Sequence, residues 1–254
     1  MDTPNDLADS AVSVPKPSMA VRLIRGIGWT SITVGVLILG FVVQQLFVTD
    51  ILAQREQTAL GEAAEEYFDS AVVEDVEVVP GFGIVEPGGN PPPIEPGQSS
   101  MILRREASPE LGTAFATIRI PKLEKLTEGW TIVEGVRRAD LTTGAGHMPA
   151  TALPGQPGNA VISGHRTTYG APFHNLDELV AGDRIEVDTA IGTHVYEVRE
   201  RIVVKPTALW VTDPRPGAWL TLTTCHPKWA ASERLIVFAE LIEGPNAEVI
   251  KAIS

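Results

Sequence analysis

Twenty-four consecutive residues, Gly26 to Thr49, carry no charge in this 254-residue chain, and they restrict its organisation more than any other feature. As a helix the run is about 36 Å long at 1.5 Å per residue, enough to cross a hydrocarbon core of roughly 30 Å. A buried core helix would have a similar composition. A cleaved signal peptide is the other rival, but the apolar stretch is too long, and Ile51-Leu52-Ala53 is a poor small-x-small cleavage site. Lys16, Arg22 and Arg25 precede the run and Asp50 follows it. The positive-inside bias then predicts a cytoplasmic N-terminus, with everything after Asp50 outside the cell.

The formal charge of −12 argues against a nucleic-acid partner, which favours a basic face. That charge is unevenly spread. Asp50 to Gly112 holds thirteen Asp/Glu against three Arg, whereas Thr113 onward holds sixteen acids and fourteen bases. Ile51 to Ser70, rich in Ala, Glu and Gln, predicts a juxtamembrane helix. Pro80 to Gly97 contains six prolines and five glycines, too many for a regular element. The reading is a polar tail over residues 1–25, a membrane span over 26–49, an acidic linker over 50–112 and a folded domain over 113–254.

From Thr113 the chain breaks into short strand-like runs. Ala114 to Ile120 alternates until Pro121, and Asn159 to Gly164 is a short apolar run. Arg184 to Val187 and His194 to Val198 follow period two, and Ile202 to Val204, Trp219 to Thr224 and Leu235 to Leu241 complete the set. Gly, Pro, Asp and Asn clusters separate them, which predicts an antiparallel all-β barrel or sandwich. Leu176 to Val180 reads as a helical turn.

The single cysteine, Cys225, ends the run from Trp219, and Arg234 opens the last one. A lone thiol on an exported domain forms no internal disulfide. If the last two runs are neighbouring strands, Cys225 and Arg234 share one rim. A guanidinium beside a sulfur favours the thiolate and can donate to an oxygen that gains charge in acyl transfer. That chemistry also needs a proton donor for the leaving amine. His165 is the best candidate, because it follows a strand and Gly164 permits a sharp exit. His226 adjoins Cys225, but alternation sends it to the opposite face. His147, His174 and His194 have no comparable setting. A zinc site from Cys225, His226 and His165 lacks paired ligand spacing. From the residues alone, Cys225 as a nucleophile and Cys225 as a small buried hydrophobe both stand.

The stretch Thr221-Leu222-Thr223-Thr224-Cys225, with Arg234-Leu235-Ile236-Val237 after it, resembles the Thr-Leu-x-Thr-Cys…Arg signature of sortases. Asn159 to Thr167 resembles the segment that carries their histidine. Ile118 to Leu123, Gly146 to Pro149 and Thr151 to Gly155 agree, so the likeness covers roughly Thr113 to Glu243. Cys225-His226-Pro227-Lys228, with Arg166 to Gly170, is most similar to class E sortases of high-GC Gram-positive bacteria.

The resemblance implies an all-β fold, an eight-stranded sortase barrel with short helices. It implies a membrane-held cysteine transpeptidase acting on secreted proteins with a C-terminal sorting signal of Leu-x-x-Thr-Gly type, with Ala suggested at the second position. The acceptor would be an amine on a peptidoglycan precursor or a pilin. Cys225 would be the nucleophile and His165 the general acid and base. Arg234 would hold substrate and its oxyanion, and Thr224 would line the groove. No cofactor is implied, and calcium is unsupported by any acidic cluster with ligand spacing. The reference values of about 8.5 for a thiol and 6.5 for imidazole make thiolate–imidazolium the minority pair at pH 7, which predicts slow turnover. The competing readings are a cell-wall cysteine peptidase or L,D-transpeptidase, and a non-catalytic envelope-binding β-domain. The L,D-transpeptidases carry His-Gly-Cys where Thr-Thr-Cys-His stands here.

Overall fold

A computed structural model describes residues 18–44, 49–80, 83–84 and 99–254. The chain divides into two compact units, Met1–Val48 and Thr49–Ser254. In the first, helix α1 spans Met19–Val43, starts under a Ser18 cap and buries none of its residues. It is the one described helix long and apolar enough to cross a membrane. It begins seven residues before the uncharged run, because Arg22 and Arg25 are good helix formers at a helix end.

The second unit is built on a closed barrel of eight strands: β4 (Ala114–Arg119), β5 (Trp130–Glu134), β6 (Ala145–His147), β7 (Gly158–Ser163), β8 (Arg184–Thr189), β9 (Gly192–Val204), β10 (Ala218–His226) and β11 (Glu233–Glu243). They close in the order β10-β11-β9-β8-β4-β5-β6-β7. Alternate side chains fill the interior, among them Ile118, Ile132, Ile162, Val187, Tyr196, Leu220, Leu222, Leu235 and Val237, all at most 2 % exposed. The eight-stranded barrel is the expected one, but it is not wholly antiparallel: β5 with β6, and β7 with β10, run parallel. Helix α3 (Arg138–Thr143) turns the chain back between β5 and β6. The expected helical turn is the 3-10 turn Leu176–Glu178.

Parallel pairing of β7 with β10 positions the site. The C-terminal ends of those two strands reach one rim, and β11, antiparallel to β10, begins there.

The compact unit begins at Thr49 rather than Thr113. Helix α2 (Thr49–Ser70) lays Leu60, Ala64 and Phe68 against Ala114 and Val133 of the barrel. Gln57 donates to the Thr143 carbonyl (2.6 Å) and accepts from the Thr131 amide (2.8 Å). Strands β1 (Val73–Val79), β2 (Gly83–Ile84) and β3 (Met101–Glu106) form a small antiparallel sheet. Val78 and Leu103 pack with Val249 and Ile250 of helix α4 (Ala247–Ile253). Buried Asn246 fastens β3, exchanging hydrogen bonds with the Arg104 backbone at 2.8 and 2.9 Å. Acidic composition hid this docking, since the acids sit on the outer faces of α2 and β1. Most of the Pro/Gly-rich stretch, residues 81–82 and 85–98, lies outside the described residues.

Candidate active site

Cys225 and Arg234 are direct register partners across β10 and β11. Leu220, Leu222, Leu235 and Val237 point into the barrel, so Cys225 and Arg234 stand on the outer face. Cβ atoms of such cross-strand partners lie about 4.5–5.5 Å apart. Both residues are half-buried, and the thiol is free. Arg234 Nη1 donates to the Ala231 and Glu233 carbonyls at 3.1 and 2.9 Å. No carboxylate pairs with this guanidinium among the described residues, so its remaining donors can receive a developing negative charge.

His165 arrives from the other side of β10. Ser163 pairs with Thr223, and the Gly164 amide donates to the Thr223 carbonyl (3.1 Å), extending the ladder by one step. The next position, His165, therefore emerges alongside Cys225. Its ring lies 4.9 Å from that of Tyr169 and tilted by 43°, and the Phe173 amide donates to its carbonyl (3.1 Å). Nε2 is buried and has no hydrogen-bond partner. Burial, then the Arg138 charge, holds the imidazole below its usual 6.5. No carboxylate orients this ring among the described residues, so packing holds it in place. Gly164 is required for space: a Cβ there would lie 2.6 Å from the Phe173 ring.

Thr224, expected to line the groove, has its side chain turned inward. It is 3 % exposed on the inward side of β10, and its hydroxyl donates to the Gly164 carbonyl (2.7 Å). Alternation next to an outward Cys225 sends it inside.

The other histidines all have structural partners. Buried His147 bonds Glu134 through Nδ1 (2.6 Å) and the Ala152 carbonyl through Nε2 (2.9 Å). His194 is fully buried against Thr189, and burial pushes it down to about 4. His174 Nδ1 donates to the Arg166 carbonyl (2.7 Å). His226 Nδ1 accepts from Arg166 Nη1 (2.7 Å). Among the described residues no group of three or more His, Cys, Asp or Glu is placed to hold a metal ion. The sequence drew no attention to Arg138, and Tyr169 and Arg166 stood out only within the Arg166 to Gly170 motif. The first two act on the imidazole from α3 and from the loop after β7, which no spacing rule connects.

A thiol, an imidazole and a guanidinium thus share one rim of an eight-stranded barrel. The comparisons agree on the class. The sortase domain profile matches residues 118–242. Sortase SrtE1 of Streptomyces coelicolor is 31 % identical over 244 residues, 90 % of this chain and 60 % of the relative. The SrtF sortase of Corynebacterium diphtheriae, at 32 % identity and a TM-score of 0.51, covers 55 % of this chain and is itself 90 % covered. The SrtA sortase of Actinomyces oris, at 32 % identity and a TM-score of 0.50, covers 54 % and is 83 % covered.

The chain belongs to the sortase family, whose members are cysteine transpeptidases, and it is class E-like within that family. It spans about 60 % of the length of the first curated relatives it matches.

Proposed function

We propose that this protein is a membrane-anchored transpeptidase that cleaves a Leu-Ala-x-Thr-Gly-type sorting signal between Thr and Gly and joins the protein to an amine. The register pairing of Cys225 with Arg234, beside the exit of His165 from β7, carries the reading.

In this scheme the Cys225 thiolate attacks the Thr carbonyl carbon. The oxygen takes up the displaced electron pair and is held by Arg234. The carbon–nitrogen bond breaks as His165, protonated, gives its proton to the Gly nitrogen, leaving a thioester on Cys225 and a neutral imidazole. An incoming amine then attacks the thioester, loses a proton to His165 and releases the thiolate. Neutral imidazole is favoured by its burial and by Arg138, so the starting thiolate–imidazolium pair is scarce and turnover is slow.

The anchor is α1, with the N-terminus cytoplasmic and residues after Asp50 outside, as Lys16, Arg22 and Arg25 dictate. The acceptor is an amine of a peptidoglycan precursor or a pilin. Incubation with a Leu-Ala-x-Thr-Gly peptide and an added primary amine tests the reading. Transfer to the amine, lost in Cys225→Ala, is expected. Hydrolysis without transfer in the presence of amine would make the protein a peptidase instead.

A further inference from the structure

Arg166 follows the imidazole in sequence, is 3 % exposed and takes no part in the scheme above. A guanidinium is costly to bury unless its N–H groups and its charge find partners. Here they do, on two sides. Nη1 donates to the Cys225 carbonyl (3.3 Å) and to His226 Nδ1 (2.7 Å), both at the end of β10. Nε donates to the His174 carbonyl (3.4 Å), and Nη2 pairs with Asp177 Oδ1 (2.9 Å), both in the segment that follows the imidazole. The Arg166 carbonyl in turn accepts from His174 Nδ1 (2.7 Å). Lys228, just beyond β10, reaches the same loop through Asn175 Oδ1 (3.2 Å).

One rigid, planar side chain thus bolts the backbone of the thiol residue to the loop that carries the imidazole. The β7–β10 ladder does not reach either group: past its last register pair, Ser163 with Thr223, come only the Gly164 amide–Thr223 carbonyl bond and the Thr224 hydroxyl–Gly164 carbonyl bond, one residue short of both. We infer that Arg166 is the positioning residue of this site, setting the separation of Cys225 from His165 without touching substrate. The inference rests on the proposed transpeptidase reading. A lysine at this position offers one point charge in place of a fork with several fixed donors, so it would not hold both sides.

The test uses the full-length protein in detergent, with kcat and KM measured on a Leu-Ala-x-Thr-Gly peptide. Arg166→Ala and Arg166→Lys are expected to fold and to lose kcat by about 100-fold, as misplacement by an ångström costs. KM should stay within about threefold, because no substrate contact is removed. Millimolar guanidinium should restore part of the kcat of Arg166→Ala, since it returns the donor set to the vacated site, and should leave Arg166→Lys unchanged. A folded Arg166→Ala with parental kcat, or a loss confined to KM, would overturn the inference.

If Arg166→Ala does not fold, Asp177→Asn decides. It removes the loop-side anchor of the guanidinium, and about a five- to tenfold loss of kcat at unchanged KM is expected; parental kcat overturns the inference. If the parent itself turns over no sorting peptide, the functional reading fails and the positioning role is judged separately. The rate of Cys225 alkylation by iodoacetamide against pH then reads the site without substrate. The step that His165→Gln removes from this profile should vanish in Arg166→Ala too, and its persistence would overturn the inference.

Discussion

The Thr224 hydroxyl donates to the Gly164 carbonyl over 2.7 Å, clasping the residue before the thiol to the residue before the imidazole. Both partners are buried. Thr224→Val keeps the shape and leaves the Gly164 carbonyl unpaired. A loss of about 1–3 kcal/mol in stability is expected, read by denaturant titration, together with a fall in kcat. Unchanged stability would mean that the clasp holds nothing.

Arg234 faces the thiol with donors unspent, so its loss should act on the transition state. Arg234→Ala is expected to lower kcat by about 100- to 1,000-fold, the usual cost of a lost oxyanion donor. Arg234→Lys should recover little, because a single ammonium does not reproduce the fork. The melting temperature should barely move, since only two bonds, to the Ala231 and Glu233 carbonyls, are lost.

Arg138 is exposed, and its positive charge disfavours protonation of His165. Arg138→Gln is expected to raise the His165 pKa, because one of the two causes that depress it is removed and burial remains. More imidazolium is then present at neutral pH, so kcat/KM at pH 7 should rise. The His165 step in the pH profile of Cys225 alkylation by iodoacetamide, identified by its absence in His165→Gln, should move to higher pH. The difference from the parent should shrink in 1 M salt, where the screening length is about 3 Å.

Glu106 is 4 % exposed where β3 meets the barrel, and burial pushes its carboxyl up to about 7, against hydroxyls of Tyr67 and Thr189 that pull it down. The folded protein thus holds the proton more tightly than the unfolded chain. Stability from this group is full below the unfolded value of 4.5, falls as pH rises, and is lost above about 7. Glu106→Gln removes that dependence. At pH 8 it should melt about 5–10 °C above the parent, from about 3 kcal/mol of relief, with no such gain at pH 4. His194, held down to about 4, acts in the opposite direction, losing stability as pH falls below 6.5. The parent's melting temperature should therefore vary less with pH than that of Glu106→Gln.

The strands that carry the site were legible because period two and the rim positions of Cys225 and Arg234 survive in the sequence. Trp130–Glu134 was not, since all five residues are buried and nothing alternates. Strand β9 read as two runs because the register shifts opposite Phe238 and Ala239, where Arg199 is skipped. The three-residue β6 is too short to show a period. The inward turn of the Thr224 side chain follows from strand alternation beside an outward Cys225. The surroundings of the site were hidden for a different reason. Arg138, Tyr169 and Arg166 gain their meaning only when α3, the loop after β7 and the end of β10 meet.

The measurement that bears most directly on the account is the intact mass of the protein after brief exposure to a Leu-Ala-x-Thr-Gly peptide. A mass increase equal to the acyl fragment ending in Thr, absent in Cys225→Ala and released by an added amine, is the expected result. A protein that cleaves the peptide with no adduct on Cys225, or whose Cys225→Ala variant cleaves equally well, would contradict it.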